Sequence, residues 1–380
     1  MRIKYLLFLS FFALSTLRIN AQWYTKSYVH QTLTRQYMVY VPANYNASNP
    51  ASMVIALHGL GDNMTNFSQQ GFNLLADTAN IIVVVPQAIS DPLAGTAWNS
   101  GAGLSSYYPN STVNDVGFLN SLIDTIKANY SIHNSRVFMC GFSMGGFMTQ
   151  RMALQSNTKL KAIASLSGTI GSAITNYAPG RSIPVAHFHG TADATVAYSG
   201  NSYGIDAIPL INFWITNNAC NTPPDSSRFA DIANDGYTID LFKYSGATVN
   251  NDVWFYRMNN APHTVLKQPT NDITETIEMW RFFRRHFETT TNTPELAEEK
   301  RILAFPNPAN NFINLILPET SEKMTIELYS IEGSCLYSNQ ISANNFHQII
   351  LNNTLFSNGL YILRVIGNTV NLSQQIIIQK

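Results

Sequence analysis

Val137-Phe138-Met139-Cys140-Gly141-Phe142-Ser143-Met144-Gly145-Gly146 is the stretch on which the reading of this chain turns. An apolar run of strand character enters it, and a helical pattern from Gly146 to Gln155 leaves it. Gly-x-Ser-x-Gly at a strand-to-helix junction forces a sharp turn that lifts the serine hydroxyl above a sheet. Its glycines remove side chains that would strike the neighbouring strand and helix. The first free N–H groups of the helix then point at the place where a negative oxygen would develop. Ser143 is therefore the candidate nucleophile, with the Met144 N–H as one oxyanion donor.

A serine of this kind needs a base and an acid from elsewhere in the chain, in the order serine, acid, histidine for an α/β fold. Val185-Ala186-His187-Phe188-His189-Gly190 reads as a strand, and Thr191-Ala192-Asp193 follows at its carboxyl end, where open α/β sheets place their sites. Asp193 is the candidate acid. Downstream, Val253 to Met258 alternates as a strand, Asn259-Asn260-Ala261-Pro262 breaks it, and His263 follows on a loop as the candidate base. A second oxyanion donor is expected from the loop after an early core strand. Met53-Val54-Ile55-Ala56-Leu57 is that strand, and His58-Gly59-Leu60-Gly61-Asp62 follows, so the Leu60 N–H is the candidate and His58 is expected to shape the loop.

Other histidines fit the base less well. His30 and His133 fall on connections ahead of or between strands, His286 inside a helix, and His347 in the C-terminal region. His187 and His189 form an H-x-H pair that could face a zinc ion, but no third ligand stands at a suitable spacing, so buried hydrogen-bonded histidines are the expectation and no metal is assigned. Asp193 could instead cap a turn, as short acids often do; its joint occurrence with the other three segments favours the catalytic reading.

The ordered set His58-Gly59-Leu60-Gly61, Asp115-Val116-Gly117-Phe118, Gly141 to Gly146, His189-Gly190-Thr191-Ala192-Asp193 and His263-Thr264 resembles the secreted esterase family of polyhydroxybutyrate depolymerases, feruloyl esterases and acetyl xylan esterases, over about residues 25 to 288. The resemblance implies an α/β-hydrolase fold, a triad at Ser143, Asp193 and His263, an oxyanion hole at Met144 and Leu60, and no cofactor. Two departures bear on what transfers. Members often follow the histidine with T-W-P-G, whereas Val265-Leu266-Lys267 follows Thr264 here. Many also carry a second cysteine able to pair with the one at Cys220, where this chain has Ser245, so Cys220 is open to being a free thiol.

Composition agrees with this reading. The chain has 380 residues, 45% of them hydrophobic, enough for a large core. Its 23 basic and 23 acidic residues balance, with no basic stripe, which argues against nucleic-acid binding. Met1-Arg2-Ile3-Lys4, an apolar run from Tyr5 to Leu14 and a small residue at Ala21 read as a signal peptide, residues 1–21, and no later run is long and apolar enough to span a bilayer. Only three cysteines are present, so stability is expected to rest on packing.

Residues 22–288 alternate as an α/β domain should. Strands are predicted at Tyr37–Val41, Val54–Leu57, Ile81–Val85, Arg136–Met139, Ala162–Leu166, Val185–His189, Ile239–Tyr244 and Val253–Tyr256, mostly as the continuous apolar runs of strands covered on both faces. Helices are predicted from Asp115 to Tyr130, Ile205 to Asn217 and Ile273 to Phe287. The long connection from Pro86 to Asn114 leaves the carboxyl end of a core strand and carries Gln87, Trp98, Tyr107 and Tyr108, which are expected to form a substrate wall.

Residues 289–301, opening with Thr289-Thr290-Thr291-Asn292-Thr293-Pro294, read as a linker. From Ile302 the chain changes to short alternating strands without helical period, the pattern of a small all-β sandwich over residues 302–380. Phe305-Pro306-Asn307-Pro308-Ala309, Leu328 to Gly333, Gly359 to Val365 and Ile376-Ile377-Ile378-Gln379-Lys380 resemble the C-terminal sorting domain of the type IX secretion system of Bacteroidetes. That resemblance implies the secretion machinery as partner and a secreted or cell-surface destination. The expected chemistry is hydrolysis of a polymer-linked ester, with feruloyl or acetyl esters of plant or algal polysaccharides first and aliphatic polyesters close behind. A prolyl-type serine peptidase and a non-catalytic secreted binding protein are the competing readings.

Overall fold

The computed structural model describes residues 22–287 and 302–380, apart from 44, 176–177, 180, 247–250, 306, 318–321, 343–345 and 353. The signal peptide and the whole linker expected from the sequence lie outside the described residues.

The N-terminal region carries β1 (Gln22–His30), β2 (Leu33–Val41), β3 (Ala51–Leu57), α1 (Met64–Ser68), α2 (Phe72–Ala79), β4 (Ile81–Pro86), β5 (Ile89–Asp91), β6 (Gly95–Ala97), α3 (Asp115–Asn129), β7 (Ile132–Phe142), α4 (Met144–Gln155), β8 (Ala162–Leu166), β9 (Val185–Gly190), α5 (Ala207–Asn217), β10 (Asp225–Arg228), β11 (Thr238–Tyr244), β12 (Val253–Asn259) and α6 (Glu275–Arg285). Ten strands form one sheet in the order β1-β2-β4-β3-β7-β8-β9-β12-β11-β10. From β4 across to β12 every neighbouring pair is parallel, and both margins are antiparallel. This is the α/β-hydrolase arrangement.

The continuous apolar strands of the sequence sit at its centre because both faces are covered. One face packs Ile55, Met139 and Ile163 against Leu119, Leu122, Met148 and Trp214; the other packs Val54, Phe138 and Ala164 against Trp280 and Phe283. Every strand and helix expected in this region is present. The structure adds β1, an edge strand of alternating exposure, together with α1, α2, the β5–β6 hairpin and the exposed strand β10. It also corrects two placements: His30 ends β1 and His133 lies within β7, not on connections.

The C-terminal region is all antiparallel strand: β13 (Leu303–Phe305), β14 (Phe312–Ile316), β15 (Lys323–Ser330), β16 (Cys335–Ser342), β17 (Phe346–Ile350), β18 (Gly359–Ile366) and β19 (Asn371–Ile378). They make a three-stranded sheet, β13-β14-β17, and a four-stranded one, β16-β15-β18-β19. Ile313 and Leu315 from the first and Ile326, Leu328, Leu363 and Val365 from the second bury into a shared core, so the two sheets form a sandwich.

Candidate active site

Ser143 stands between the end of β7 and the start of α4 with φ 55° and ψ −122°, a backbone conformation that a non-glycine residue adopts only where its surroundings impose it. The surroundings do so. Ser143 N–H donates to the Leu166 carbonyl of β8 at 2.8 Å. A Cβ added at Gly145 would collide with the Leu57 carbonyl, and one at Gly141 with the Gly145 carbonyl, so only glycine lets α4 dock this closely on β3 and β7. The Leu60 and Met144 N–H groups find no hydrogen-bond partner among the described residues, and both residues line the same cavity as Ser143.

The parallel pairing of β9 with β12 brings the acid and the histidine together. Met258 lies in register with Gly190. Beyond them, Ala192 N–H donates to the Ala261 carbonyl at 3.1 Å, tying the loop after β9 to the loop after β12. Asp193 and His263 then meet: Nδ1–H of His263 donates to Asp193 Oδ2 at 2.7 Å. The other carboxylate oxygen, Oδ1, accepts from Thr195 N–H at 2.9 Å and Val196 N–H at 2.8 Å. Burial works against the charge on Asp193, but the histidine and the Val196 N–H outweigh it, and the carboxyl titrates below its ordinary range.

His263 packs its ring against Phe142, 4.7 Å between centroids, which sets the imidazole beside the serine turn. Ser143 and His263 line one cavity of about 270 Å³ with Gly59, Leu60, Asp62, Ala102, Phe147 and Tyr203. The site therefore offers a strained serine hydroxyl, an imidazole oriented by a carboxylate, and two backbone donors around a mostly apolar space. That set can form and break an acyl-enzyme.

The aromatic wall expected from the connection after β4 is not formed. Trp98 is fully buried, its Nε1–H donates to the His58 carbonyl at 3.0 Å, and its ring packs on His58. Gln87 accepts from Met64 N–H at 2.9 Å and lies 3.3 Å from His58 Nε2. Tyr107 gives its hydroxyl proton to Asp91 at 2.6 Å, and Tyr108 is exposed outside the cavity lining. The reason is local: Asp91 collects Tyr107 O–H and the N–H groups of Leu93, Ala94 and Asn110, folding the connection inward on itself. Trp98 and Gln87 brace the loop after β3 through His58, which accepts from Ala88 N–H at Nε2 and so donates from Nδ1 to the Gly59 carbonyl.

The aromatics that do reach the cavity are Phe142, Phe147 and Tyr203. Tyr203 sits on the loop between Asp193 and α5, a connection at the carboxyl end of β9. That position is the sequence signal for Tyr203, because open α/β sheets place their sites on such connections.

His187 and His189 are buried and direct their ring nitrogens at each other and at neighbouring protein groups. No cluster of three metal-ligating side chains occurs among the described residues. All three cysteines are free thiols. Cys220 lies beside Ser245, whose carbonyl accepts from Asn221 N–H, and burial pushes its thiol up to about 11.

Residues 44–207 match the family described as phospholipase/carboxylesterase, and residues 303–379 match the secretion system C-terminal sorting domain. Ser143 and Asp193 fall inside the first matched stretch and His263 beyond it, while the second stretch covers the all-β region. Among curated proteins, the chain is 31% identical over 168 residues to a bifunctional acetylxylan esterase/xylanase of Neocallimastix patriciarum, covering 43% of this chain and 22% of that one. It is 26% identical over 200 residues to a probable feruloyl esterase C of Aspergillus niger, covering 50% and 65%. The chain thus spans between about a fifth and about two thirds of the length of these relatives. Among solved structures, an acetyl xylan esterase from Aspergillus awamori aligns with TM-score 0.46 at 16% identity, over 66% of this chain and 94% of that one.

Proposed function

We propose that this protein is a secreted serine esterase that hydrolyses carboxylic esters carried on a polysaccharide, feruloyl or acetyl esters in particular. The observation that carries the reading is the 2.7 Å Asp193–His263 hydrogen bond on the rim of the cavity that holds the strained Ser143. Ser143 attacks the ester carbonyl while His263 takes its proton. Asp193 holds the imidazole in the tautomer that accepts at Nε2 and stabilises it once charged. The N–H groups of Met144 and Leu60 receive the oxyanion, His263 returns the proton to the leaving alcohol, and water repeats the sequence on the acyl-enzyme. A cavity of this size suits the acyl group, leaving the polymer outside.

The names of the curated relatives support the substrate class, since they are called acetylxylan and feruloyl esterases. Residues 1–21 would direct export through the inner membrane, 22–288 form the catalytic domain, 289–301 the linker, and 302–380 the tail handed to the secretion machinery. No helix among the described residues is long and apolar enough to cross a membrane.

Labelling with a fluorophosphonate probe tests the chemistry: stoichiometric labelling of wild type and none of Ser143→Ala is expected. Ser143→Ala should lose on the order of a million-fold in kcat, and Asp193→Asn about ten-thousand-fold. Folded wild type that takes no label would overturn the reading in favour of a binding protein. Turnover of methyl ferulate and acetylated xylan above polyhydroxybutyrate and a proline-containing peptide amide is expected; the reverse order would move the substrate to polyesters or peptides.

A further inference from the structure

Behind the candidate acid runs a line of buried polar side chains that the ester chemistry leaves unused. Trp214 Nε1 lies 2.9 Å from Gln150 Oε1, Gln150 Nε2 is 2.7 Å from Ser165 Oγ, and Ser165 Oγ is 2.8 Å from His187 Nδ1. His187 Nε2 then lies 3.1 Å from His189 Nδ1, and His189 Nε2 lies 2.8 Å from the Val196 carbonyl and 3.6 Å from Asp193 Oδ2. All five side chains are fully buried. They come from α5 and α4, which cover one face of the sheet, and from β8 and β9 within it, so the line joins that helical layer to the sheet.

Its direction is fixed by its two ends. An indole N–H can only donate, so Gln150 must present its carbonyl oxygen to Trp214 and its amide hydrogens to Ser165. Ser165 then accepts from Gln150 and points its own hydrogen at His187 Nδ1. The far end requires this, because the Val196 carbonyl can only accept: the His189 proton is on Nε2, its Nδ1 accepts from His187 Nε2–H, and His187 Nδ1 is left to accept from Ser165. Val196 N–H is itself bound to Asp193 Oδ1, so the last donor clamps the turn that carries the carboxylate.

We propose that Trp214, Gln150, Ser165, His187 and His189 form a one-way hydrogen-bond relay that holds the Asp193–Val196 turn in place, His189 acting as a positioning residue for the carboxylate that orients His263. The inference rests on the esterase reading for its consequence, not for its geometry. The groups facing the histidines agree with neutral rings. His187 stacks on Phe255 and His189 packs edge-on to Tyr198, while Arg257, paired with His189 across β9 and β12, sends its guanidinium to Asp240. Among the described residues Asp193 is the one carboxylate within 4 Å of either ring, and His263 already occupies its Oδ2. Burial lowers the pKa of both rings, that of His187 well below the ordinary histidine value.

The test reads the tautomers directly. Full-length protein labelled with ¹⁵N-histidine, its ring signals assigned with His187→Phe and His189→Gln variants, should show both imidazoles neutral with the proton on Nε2 throughout about pH 5 to 8, the range in which an ordinary histidine titrates. Titration of either ring in that range, or a proton on Nδ1 of either, would overturn the relay. Gln150→Glu reverses the rule at the start of the line, because a carboxylate only accepts. Ser165 must then donate to it and His187 must carry its proton on Nδ1. The expected result is that tautomer switch, with kcat lowered about ten- to a hundredfold at little-changed KM. Unchanged tautomers and unchanged kcat in a folded Gln150→Glu would equally reject it. Fluorophosphonate labelling of Ser143 separates the two failures, since a labelled enzyme with titrating histidines loses the relay and keeps the esterase reading.

Discussion

Single residues here divide into those that face the cavity and those that hold it, and Trp98 and Tyr203 stand on opposite sides of that division. The sequence places Trp98 in a substrate wall, yet its indole is spent on the His58 carbonyl beneath the loop after β3. Trp98→Ala should therefore cost stability, about 3–5 kcal/mol as for other buried large-to-small changes. Tyr203 is half-buried on the cavity, and Tyr203→Ala should leave the melting temperature near wild type while raising KM for aromatic acyl esters. Thermal melts and initial rates on both variants decide this: a Trp98→Ala protein of unaltered Tm would show that the indole is not the brace described. The serine, acid and histidine could be picked from the chain because each sits in a local pattern of strand end followed by breaker. Which aromatic turns inward could not, because Trp98 is drawn in by a partner 40 residues away and no local spacing encodes that.

At the level of elements, the connection from β4 to α3 owes its shape to two carboxylates. Asp115 at the start of α3 accepts from Arg35 at 2.7 Å in a buried ion pair and from Asn99 N–H at 2.7 Å, which anchors the far end of the connection to β2. Asp91 organises the near end with four donors. Partial burial opposes its charge, the Tyr107 hydroxyl and the three N–H groups favour it more, and its carboxyl is held at about 2. A depressed folded-state value means that this stabilisation is complete above the unfolded value near 4 and is lost as pH falls toward 2. Asp91→Asn should lower Tm by roughly 2–4 °C at neutral pH, with the difference from wild type closing as the buffer is taken from pH 4 to pH 2. A gap of constant size across that range would mean that the carboxylate charge is not what holds the loop. The core strands were legible from their continuous apolar runs. β1 and β10 were not, since β1 alternates only between exposed and half-buried positions, and β10, exposed at all four residues, carries no apolar pattern to stand out from a loop.

Across the whole molecule, two cores are built from separate stretches of chain. The ten-stranded sheet and its helices draw their buried residues from Tyr37 through Phe283, while the sandwich buries Ile302 through Ile378 around a centre of its own. Every residue lining the cavity lies between Gly59 and His263. The geometry of the candidate site is thus set by β3, β7, β9 and β12 and the loops they carry, and among the described residues none of the tail lines its cavity. Deleting 302–380 should accordingly leave kcat/KM on a small soluble ester unchanged and abolish delivery to the surface or medium, the outcome that the match of this stretch to a sorting domain requires. Transplanting those residues onto an unrelated exported protein should restore delivery in the same host. A tail-deleted protein that keeps its circular dichroism but loses fluorophosphonate labelling would show instead that the sandwich supports the serine turn, making the two cores one cooperative unit.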